Sequence, residues 1–375
     1  MSQQDNKEMA KYFYRASAAD FKKIPGGAIA YWASRQVFDS FCCMSPISNY
    51  IITREGLTTG NNDIFVRNWW EVEVCNTHVL GTPTEFTKRW YPMQKGGEFR
   101  RWFGNLVDVV DWENDGLRMR SYKDLDTGRV RSHNYNGEFA FKEGFSWTYI
   151  SSGSFAVRYV GGECLFNSKG PMGFNNSSEF TNEYAVATLN SKVSAHILKM
   201  LAPTLDFKLG QVLSIPVAKC NDTININSQS LICISKNDWN SKEISMGFKS
   251  DFLTNNISNA TTIQCQYNKL RSYWFNATQE MQRLEEENNR VFIEAYGLQD
   301  ELTPEVPLSE ITLTCNPHYR YGSNLTDEER EARLQSDTIA ELVSYAIGCM
   351  MGRYSLDREG LVYAHAGNVG FNDLV

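Results

Sequence analysis

A run of apolar residues between positions 270 and 295 constrains the fold more than any other feature of this sequence. The spacing alternates between four and three residues, and the row consists of Leu270, Trp274, Ala277, Met281, Leu284, Asn288, Val291 and Ala295. This spacing is typical of a coiled-coil seam, here with one polar residue, Asn288, in the core row. Gly297 follows and is a natural helix terminator. The sequence therefore predicts one long helix over 262–296.

A second long helix is predicted after residue 325. It begins with a capping box formed by Thr326 and Glu329. Its apolar stripe consists of Ile339, Leu342, Ala346 and Cys349. The connection 297–325 contains three prolines, which favour a loop. We expect the two helices to pack antiparallel as a hairpin. The predicted regions are a spacer helix at 262–296 and a helical C-terminal region at 297–375 that is expected to be truncated.

The front of the chain has the pattern of a mixed-sheet domain over residues 31–250. Short apolar or aromatic runs typical of strands occur at 51–53, 69–74, 106–112, 155–160 and 215–217. Turn-forming residues separate them. A helix capped by Thr181 is predicted over 181–200, and 219–265 reads as loops around one strand at 231–235. Residues 1–30 read as a linker with a short helix from Lys7 to Phe21. The fold class is therefore α+β.

Charge is distributed unevenly along the chain. The net charge is −7, yet residues 221–375 hold 12 Lys and Arg against 22 Asp and Glu, which leaves residues 1–220 with a balance of +3. Such polarity favours a polyanion partner for the front half and a protein or solvent for the back half. No Cys-x-x-Cys pair, apolar signal segment or membrane-spanning run of about 18 apolar residues occurs. These features predict a cytoplasmic protein with reduced cysteines and no membrane partner.

The chain lacks the motifs of a catalytic or metal site. There is no zincin histidine pair, Gly-x-Ser-x-Gly elbow or Walker loop. The glycine-rich cofactor turn of methyltransferases is absent too. Asn316-Pro317-His318-Tyr319 is the nearest match to the (Asn/Asp)-Pro-Pro-aromatic loop of amine methyltransferases, and His318 stands where the second proline would be. We interpret this segment as a structural turn and predict no catalytic residue and no metal.

Cations interleaved with glycines and aromatic residues between 54 and 158 favour nucleic acid. The candidate DNA-binding residues are Asn61, Asn62, Lys88, Arg89, Lys95, Gly96, Gly97, Arg100, Arg101, Arg118, Arg120, Arg129, Arg131 and Arg158. Side-chain amides can pair with the major-groove edge of adenine. Paired glycines let the backbone approach a phosphate while Lys and Arg neutralise it. The same residues also fit plain turns with solvated charges, so the alternatives stay open at this point.

Several long strings resemble a known family. They are YFYRASAADFKKIPGGAIAYWAS (12–34), ITREGLTTGNNDIFVRNWWEV (52–72), RWYPMQKGGEFRRWFGN (89–105) and VVDWENDG (109–116). These resemble the segment after the catalytic domain in the PglX family, the adenine-specific DNA methyltransferases of type 1 BREX phage-defence systems. The block 189–217 looks like the helix–strand signature of recognition domains in Type IIG enzymes and Type I specificity subunits. Residues 285–322 and 342–367 look like the region that follows.

The resemblance implies a target-recognition module that reads double-stranded DNA for adenine methylation in antiviral defence. The family uses S-adenosylmethionine, which the resemblance places in a catalytic domain ahead of residue 1, so no cofactor is expected in this chain. Its partners would be DNA, a catalytic methyltransferase domain or subunit and other BREX proteins, and the chain would be inactive alone. It would be a split or truncated product or a separate subunit. The alternative is an assembly protein of a defence complex that uses the two long helices and does not bind DNA.

Overall fold

The computed structural model describes residues 17–78, 83, 85–151, 153–219, 223–254 and 262–363. The α-helices in chain order are α1 Ala18–Phe21, α2 Arg35–Cys43, α3 Asn62–Phe65, α4 Glu113–Ser121, α5 Asn182–Leu189, α6 Lys192–Leu201, α7 Leu209–Leu213, α8 Thr223–Asn240, α9 Ile263–Tyr296, α10 Pro317–Tyr321 and α11 Asp327–Met350. The strands are β1 Ser45–Pro46, β2 Ile51–Arg54, β3 Val66–Asn68, β4 Trp90–Gln94, β5 Asp108–Asp111, β6 Glu143–Trp147, β7 Val157–Gly161, β8 Leu165–Phe166, β9 Met172–Asn175 and β10 Pro216–Val217. The α+β class is confirmed.

Two four-stranded sheets organise the front half. The main sheet has the order β2-β9-β6-β7 and is antiparallel throughout. The small sheet has the order β3-β5-β4-β8, antiparallel except for the parallel β4–β8 pair. A short antiparallel pair joins β1 to β10. Helix α5 packs against β6 and β7 of the main sheet, and α7 packs against β2.

Of the five strand runs predicted ahead of residue 219, four contain strands and the run at 69–74 does not. Residues Trp69–Glu71 and Val74–Asn76 form two 3-10 turns instead. The cause is local, because the Asn68 backbone N–H donates to the Glu71 carboxylate at 2.8 Å and closes a capping box. Trp69 is buried, and its indole N–H donates to the carbonyl of Ile244 at 2.8 Å.

The predicted long helix exists as α9 and ends at Gly297, whose φ of 65° is left-handed. Most of the predicted seam is buried against this chain itself, where α9 packs on α8, α6 and α2. The buried stripe drifts from Leu270 and Trp274 to Phe292 and Tyr296. A straight helix drifts in this way relative to a heptad repeat, because it turns every 3.6 residues rather than 3.5. Asn288 donates to the carbonyl of Ala187 at 3.0 Å, so its polar group is satisfied inside the core.

The helix predicted over 181–200 is two helices, α5 and α6, separated at Asn190 and Ser191. Thr181 caps α5 as predicted. The Asn190 side-chain amide pairs with both backbone groups of Val157, at 2.9 and 3.0 Å, on the edge strand β7. Ser191 then caps α6 by accepting from the Ser194 N–H at 3.2 Å. The break lets one side chain complete the edge of the main sheet.

The strand and loops predicted within 219–240 are wrong, because residues 223–240 form α8. The buried positions of this helix mix apolar residues with Ser228, Ser235 and Asp238, which hid the helical period from the sequence pattern. Each serine hydroxyl is satisfied by a carbonyl that is distant in sequence: Ser228 donates to the carbonyl of Glu183 at 2.8 Å, and Ser235 to that of Phe103 at 3.1 Å. Residues 255–261 lie outside the described part.

The second long helix begins at its predicted capping box, since Thr326 and Glu329 exchange hydrogen bonds. It contacts the start of α9 in an antiparallel sense, through an ion pair between Arg271 and Glu331 and a hydrogen bond between Gln335 and Gln264. No helix of the described residues has the length and apolar character needed to cross a membrane.

The predicted domain boundaries at 30, 250 and 296 stay predictions. In the structure, the main hydrophobic core runs from Ile24 to Leu334 and includes residues from each of the four predicted regions. Of the N-terminal helix predicted from Lys7, only Ala18–Phe21 falls within the described residues. The last predicted segment, 364–375, lies outside them.

Candidate nucleic-acid interface

The small sheet has its own core and holds two of the predicted loops together. Its core includes Leu57, Tyr91, Val110, Trp112 and Leu165. An isolated antiparallel bridge links Thr58 to His133, so the loop that contains Asn61 lies beside the segment that contains Arg131. At Gly60, with φ of 77°, an added Cβ would lie 2.9 Å from the Ser132 nitrogen. The close approach of these two loops therefore requires glycine at this position.

A buried carboxylate orients two predicted arginines. Asp111 ends β5, with its side chain 2% exposed, and accepts from Arg89 at 3.1 Å and from Arg118 at 2.6 Å. The guanidinium-bearing side chains remain 44% and 54% exposed. Two cations share one carboxylate, so the cluster keeps a positive charge at the surface. Nothing in the sequence pattern marks Asp111 for this role, because it stands in an ordinary strand run.

Aromatic rings and a turn hold the next cations. Arg120 lies 4.1 Å from the ring centroid of Tyr135 and forms an ion pair with Asp115 at 3.0 Å. Arg131 is exposed and lies 3.4 Å from Asp124. Hydrogen bonds from Thr127 hold the pKa of Asp124 below its ordinary value, with a further contribution from Arg131. Asp124 therefore stays ionised beside the cation.

Two more of the predicted cations belong to the same segments of the chain. Arg129 is exposed and has no ion-pair partner within the described residues. Lys88 is exposed and donates to the carbonyl of Cys75. We call Lys88, Arg89, Arg118, Arg120, Arg129 and Arg131 the cationic face. These six belong to two segments, 88–89 and 118–131, that Asp111 joins.

The predicted asparagines lie at the loop beside this face. Asn62 is exposed, and its amide oxygen accepts from the Thr59 hydroxyl at 2.6 Å. Asn61 is half-buried, and its carbonyl accepts from the Phe65 N–H. Their adenine-reading role stays a prediction, and the amide nitrogen of Asn62 is the group that the hydrogen bond leaves available.

The glycine pair at 96–97 lies where the small sheet meets residues 148 and 169. Lys95 forms an ion pair with Asp108 at 2.9 Å. Gly96 and Gly97 have φ of 91° and 123°, and a Cβ at Gly96 would lie 2.9 Å from the Lys169 carbonyl. Thr148 donates to the Gly97 carbonyl at 3.0 Å. Packing alone therefore explains glycine at 96, and phosphate contact here stays a prediction.

The predicted DNA contacts at Arg100, Arg101 and Arg158 need correction, because the structure buries all three. Arg100 is 2% exposed and forms an ion pair with Asp238 at 2.8 Å. Arg101 is 9% exposed and is held by Glu285 at 2.8 Å and Glu310 at 2.9 Å. These contacts join the β-rich front half to α8, α9 and the loop after α9. Neither guanidinium is available to a phosphate, so we leave both out of the candidate interface.

Arg158 is fully buried on β7. It donates to the carbonyl of Arg100 and to the Thr148 hydroxyl, both at 3.3 Å. Burial lowers the pKa of Arg158 to about 10, and the neighbouring Arg100 adds to the effect. No carboxylate lies within ion-pair distance among the described residues, so this cation relies on weak hydrogen bonds inside the core. Only the tertiary structure distinguishes these three arginines from the exposed ones.

Asn316 has a structural role, but residues 317–321 form the short helix α10 and not the predicted turn. It is fully buried, and its amide donates to the carbonyls of Leu308 at 2.7 Å and Ile311 at 2.9 Å. Its oxygen caps α10 through the His318 N–H. Among the described residues, no group of three or more His, Cys, Asp or Glu side chains is placed to hold a metal ion.

Comparison with known proteins finds relatives of one kind. The chain is 41% identical over 360 residues to the adenine-specific methyltransferase PglX of Lacticaseibacillus casei (strain Zhang), which covers 94% of this chain. It is 38% identical over 357 residues to the adenine-specific methyltransferase BrxX of Escherichia coli O9:H4 (strain HS), which covers 95% of this chain. The chain spans only 28% of the length of either relative. No protein-family model matches it. The predicted resemblance to adenine-specific methyltransferases of the PglX kind is confirmed.

Proposed function

We propose, from this similarity to adenine-specific methyltransferases, that the chain is the DNA-recognition module of such an enzyme in BREX defence. The observation that carries the proposal is the match over nearly the whole chain at 41% identity. The chemistry would belong to a catalytic part outside these residues, where S-adenosylmethionine would bind. Double-stranded DNA, that catalytic part and other BREX proteins are the proposed partners.

The cationic face supports DNA as the ligand. It groups six Lys and Arg side chains on the small sheet and its loops, and Asp111 holds two of them in place while they stay half-exposed. Cations held in fixed positions suit the phosphates of a duplex, which dominate the affinity of protein–DNA complexes. We expect Asn62, in the loop beside this face, to contact a base edge once phosphate contacts have set the register.

Binding to a labelled duplex as a function of salt tests the proposal. We expect log K to fall linearly with log salt with a slope of roughly −3 to −5, because several phosphate contacts release counterions. A selection from random duplexes should recover a motif that contains adenine. An affinity that does not change with salt would contradict the proposal.

Matched variants locate the site. Arg129→Ala and Arg118→Ala should each weaken binding and reduce the salt slope by about 1. Arg283→Ala is the control, because Arg283 is 61% exposed on α9 and forms an ion pair with Glu280, much as Arg118 does with Asp111. If all three substitutions change DNA affinity equally, the cationic face is not the binding site. DNA would then bind to another surface of the chain.

A second candidate function, an assembly protein without DNA contact, has an observation in its favour. The outer face of α11 carries exposed apolar residues at helical spacing, namely Ile339, Val343, Ile347 and Met350. A helix that is apolar on two faces usually contacts a second protein. DNA binding that survives the introduction of negative charge on this face, with Val343→Glu and Ile347→Glu, supports the first candidate. Absence of DNA binding at low salt in the unmodified chain supports the second.

A further inference from the structure

A cavity of about 330 Å³ lies between the residues that follow α8 and the helices α10 and α11. It is lined by Ser241, Lys242, Glu243, Ile244, Phe248, Asp251, Thr314, Arg320, Glu341 and Ser344. Half of these side chains are charged, and they come from three separate parts of the chain. A cavity with several charged groups and an apolar wall has the composition of a small-molecule site.

Two buried atoms on this lining have unmet hydrogen-bonding capacity. Within the described residues, neither Glu243 Oε1 nor Arg320 Nη1 has a hydrogen-bond partner. The other carboxylate oxygen of Glu243 accepts from Ser344 at 3.2 Å, and Arg320 Nη2 contacts Glu341 at 3.0 Å and Asp337 at 3.3 Å. Each side chain is therefore fixed by one end. Buried polar groups nearly always have a hydrogen-bond partner. Glu243 Oε1 therefore needs a donor, and Arg320 Nη1 needs an acceptor.

The charges on the lining select the kind of molecule. Glu341 lies between Lys242 and Arg320, at 2.7 and 3.0 Å, and is compensated by both. Glu243 and Asp251 form no ion pair within the described part of the chain, although both line the cavity. Carboxylates in excess disfavour an anion and favour an ammonium group. Arg320, in contrast, offers an N–H to a carboxylate.

We propose that this cavity binds a small zwitterion of the free α-amino acid class, with its ammonium group at Glu243 and Asp251 and its carboxylate at Arg320. The side chain of the ligand would rest against Ile244 and Phe248, of which Phe248 is buried and Ile244 is 44% exposed. The inference does not depend on DNA binding, since the cavity shares no residue with the cationic face.

The binding side of the proposal is tested on the whole chain with the free protein amino acids as probes, each at millimolar concentration. At least one should raise the melting temperature, with a rise that grows with the logarithm of its concentration. Calorimetry on that amino acid then compares its N-acetyl and carboxamide forms. Both should bind at least about tenfold more weakly, because each lacks one charged hydrogen bond. If no amino acid changes the melting temperature, the cavity holds water only and the proposal is overturned.

Variants assign the binding to this cavity. Glu243→Gln keeps the shape of the side chain and the contact with Ser344, and Arg320→Lys keeps the charge beside Asp337 and Glu341. Both variants should weaken the binding of the amino acid at least about tenfold. Glu287→Gln is the control, because Glu287 lies on α9 and pairs with Arg290 away from the cavity. Circular dichroism checks that each variant is folded. Unchanged affinity in Glu243→Gln and Arg320→Lys would place the ligand elsewhere and overturn the proposal.

Discussion

Replacing Arg101 with alanine should destabilise the fold without removing a DNA contact. The Arg101 guanidinium lies between Glu285 and Glu310, and the Glu285 side chain is only 4% exposed. In the variant, Glu285 keeps a hydrogen bond from the Trp102 indole at 2.7 Å but loses its compensating charge. Breaking a buried ion pair in this way costs about 3–5 kcal/mol in the free energy of unfolding.

The physical reason can be checked with a second substitution. Burial raises the pKa of Glu285, and Arg101 opposes that shift in the native protein. Replacing Glu285 by glutamine in the Arg101→Ala background removes the uncompensated charge while it keeps an acceptor for Trp102. We expect the double variant to recover part of the loss, with a coupling free energy of about 0.5–3 kcal/mol between the two positions.

Urea unfolding followed by tryptophan fluorescence measures these free energies, and the labelled duplex measures DNA affinity. Arg129→Ala is the matched comparison, since it removes the same side chain from an exposed position. It should change the free energy of unfolding by no more than about 0.5 kcal/mol, while it should weaken the binding of DNA. A folded Arg101→Ala protein with unchanged stability and reduced DNA affinity would refute the assignment of Arg101 to the core.

Three further substitutions test other parts of the fold. Asn190→Ala removes both hydrogen bonds to Val157 and should lower the free energy of unfolding by about 1–3 kcal/mol in urea titrations; an unchanged midpoint would contradict the role of Asn190 at the sheet edge. Gly173→Ala places a Cβ 2.2 Å from the Phe145 ring and should cost about 1–3 kcal/mol by the same assay, whereas Gly137→Ala, with open space around it, serves as its control. Burial raises the pKa of Glu163, so in the native state this carboxyl takes up a proton at a higher pH than in the unfolded chain. Glu163→Gln should therefore be more stable than the native protein at neutral pH, and the difference in the free energy of unfolding should close as the pH falls through the raised pKa. A difference that does not depend on pH would contradict burial as the cause.

Local patterns predicted elements whose causes lie within a few residues. The helix at 263–296, its end at Gly297 and the capping box at Thr326 follow from spacing and from hydrogen bonds between near neighbours. The strands at 51–54 and 108–111 likewise match their apolar runs. Serines at inward positions of α8 hid its period, because their partners are carbonyls far along the chain.

The candidate site was also predicted in part from the sequence and in part decided by the tertiary structure. Residue types alone pointed to cations suited to DNA, and the resemblance pointed to one kind of enzyme. The sequence cannot separate Arg100 from Arg129, since both are arginines among polar and aromatic neighbours. Only the packed chain places Asp238 against one and water against the other.

What the sequence determined by itself was therefore the helical periods, the caps and the kinship of the chain, because each depends on the order of nearby residues. Tertiary structure decided which charges reach solvent, since burial depends on segments that are distant in sequence. Arg101 meets Glu285 across 184 positions of the chain, and no local pattern specifies that contact.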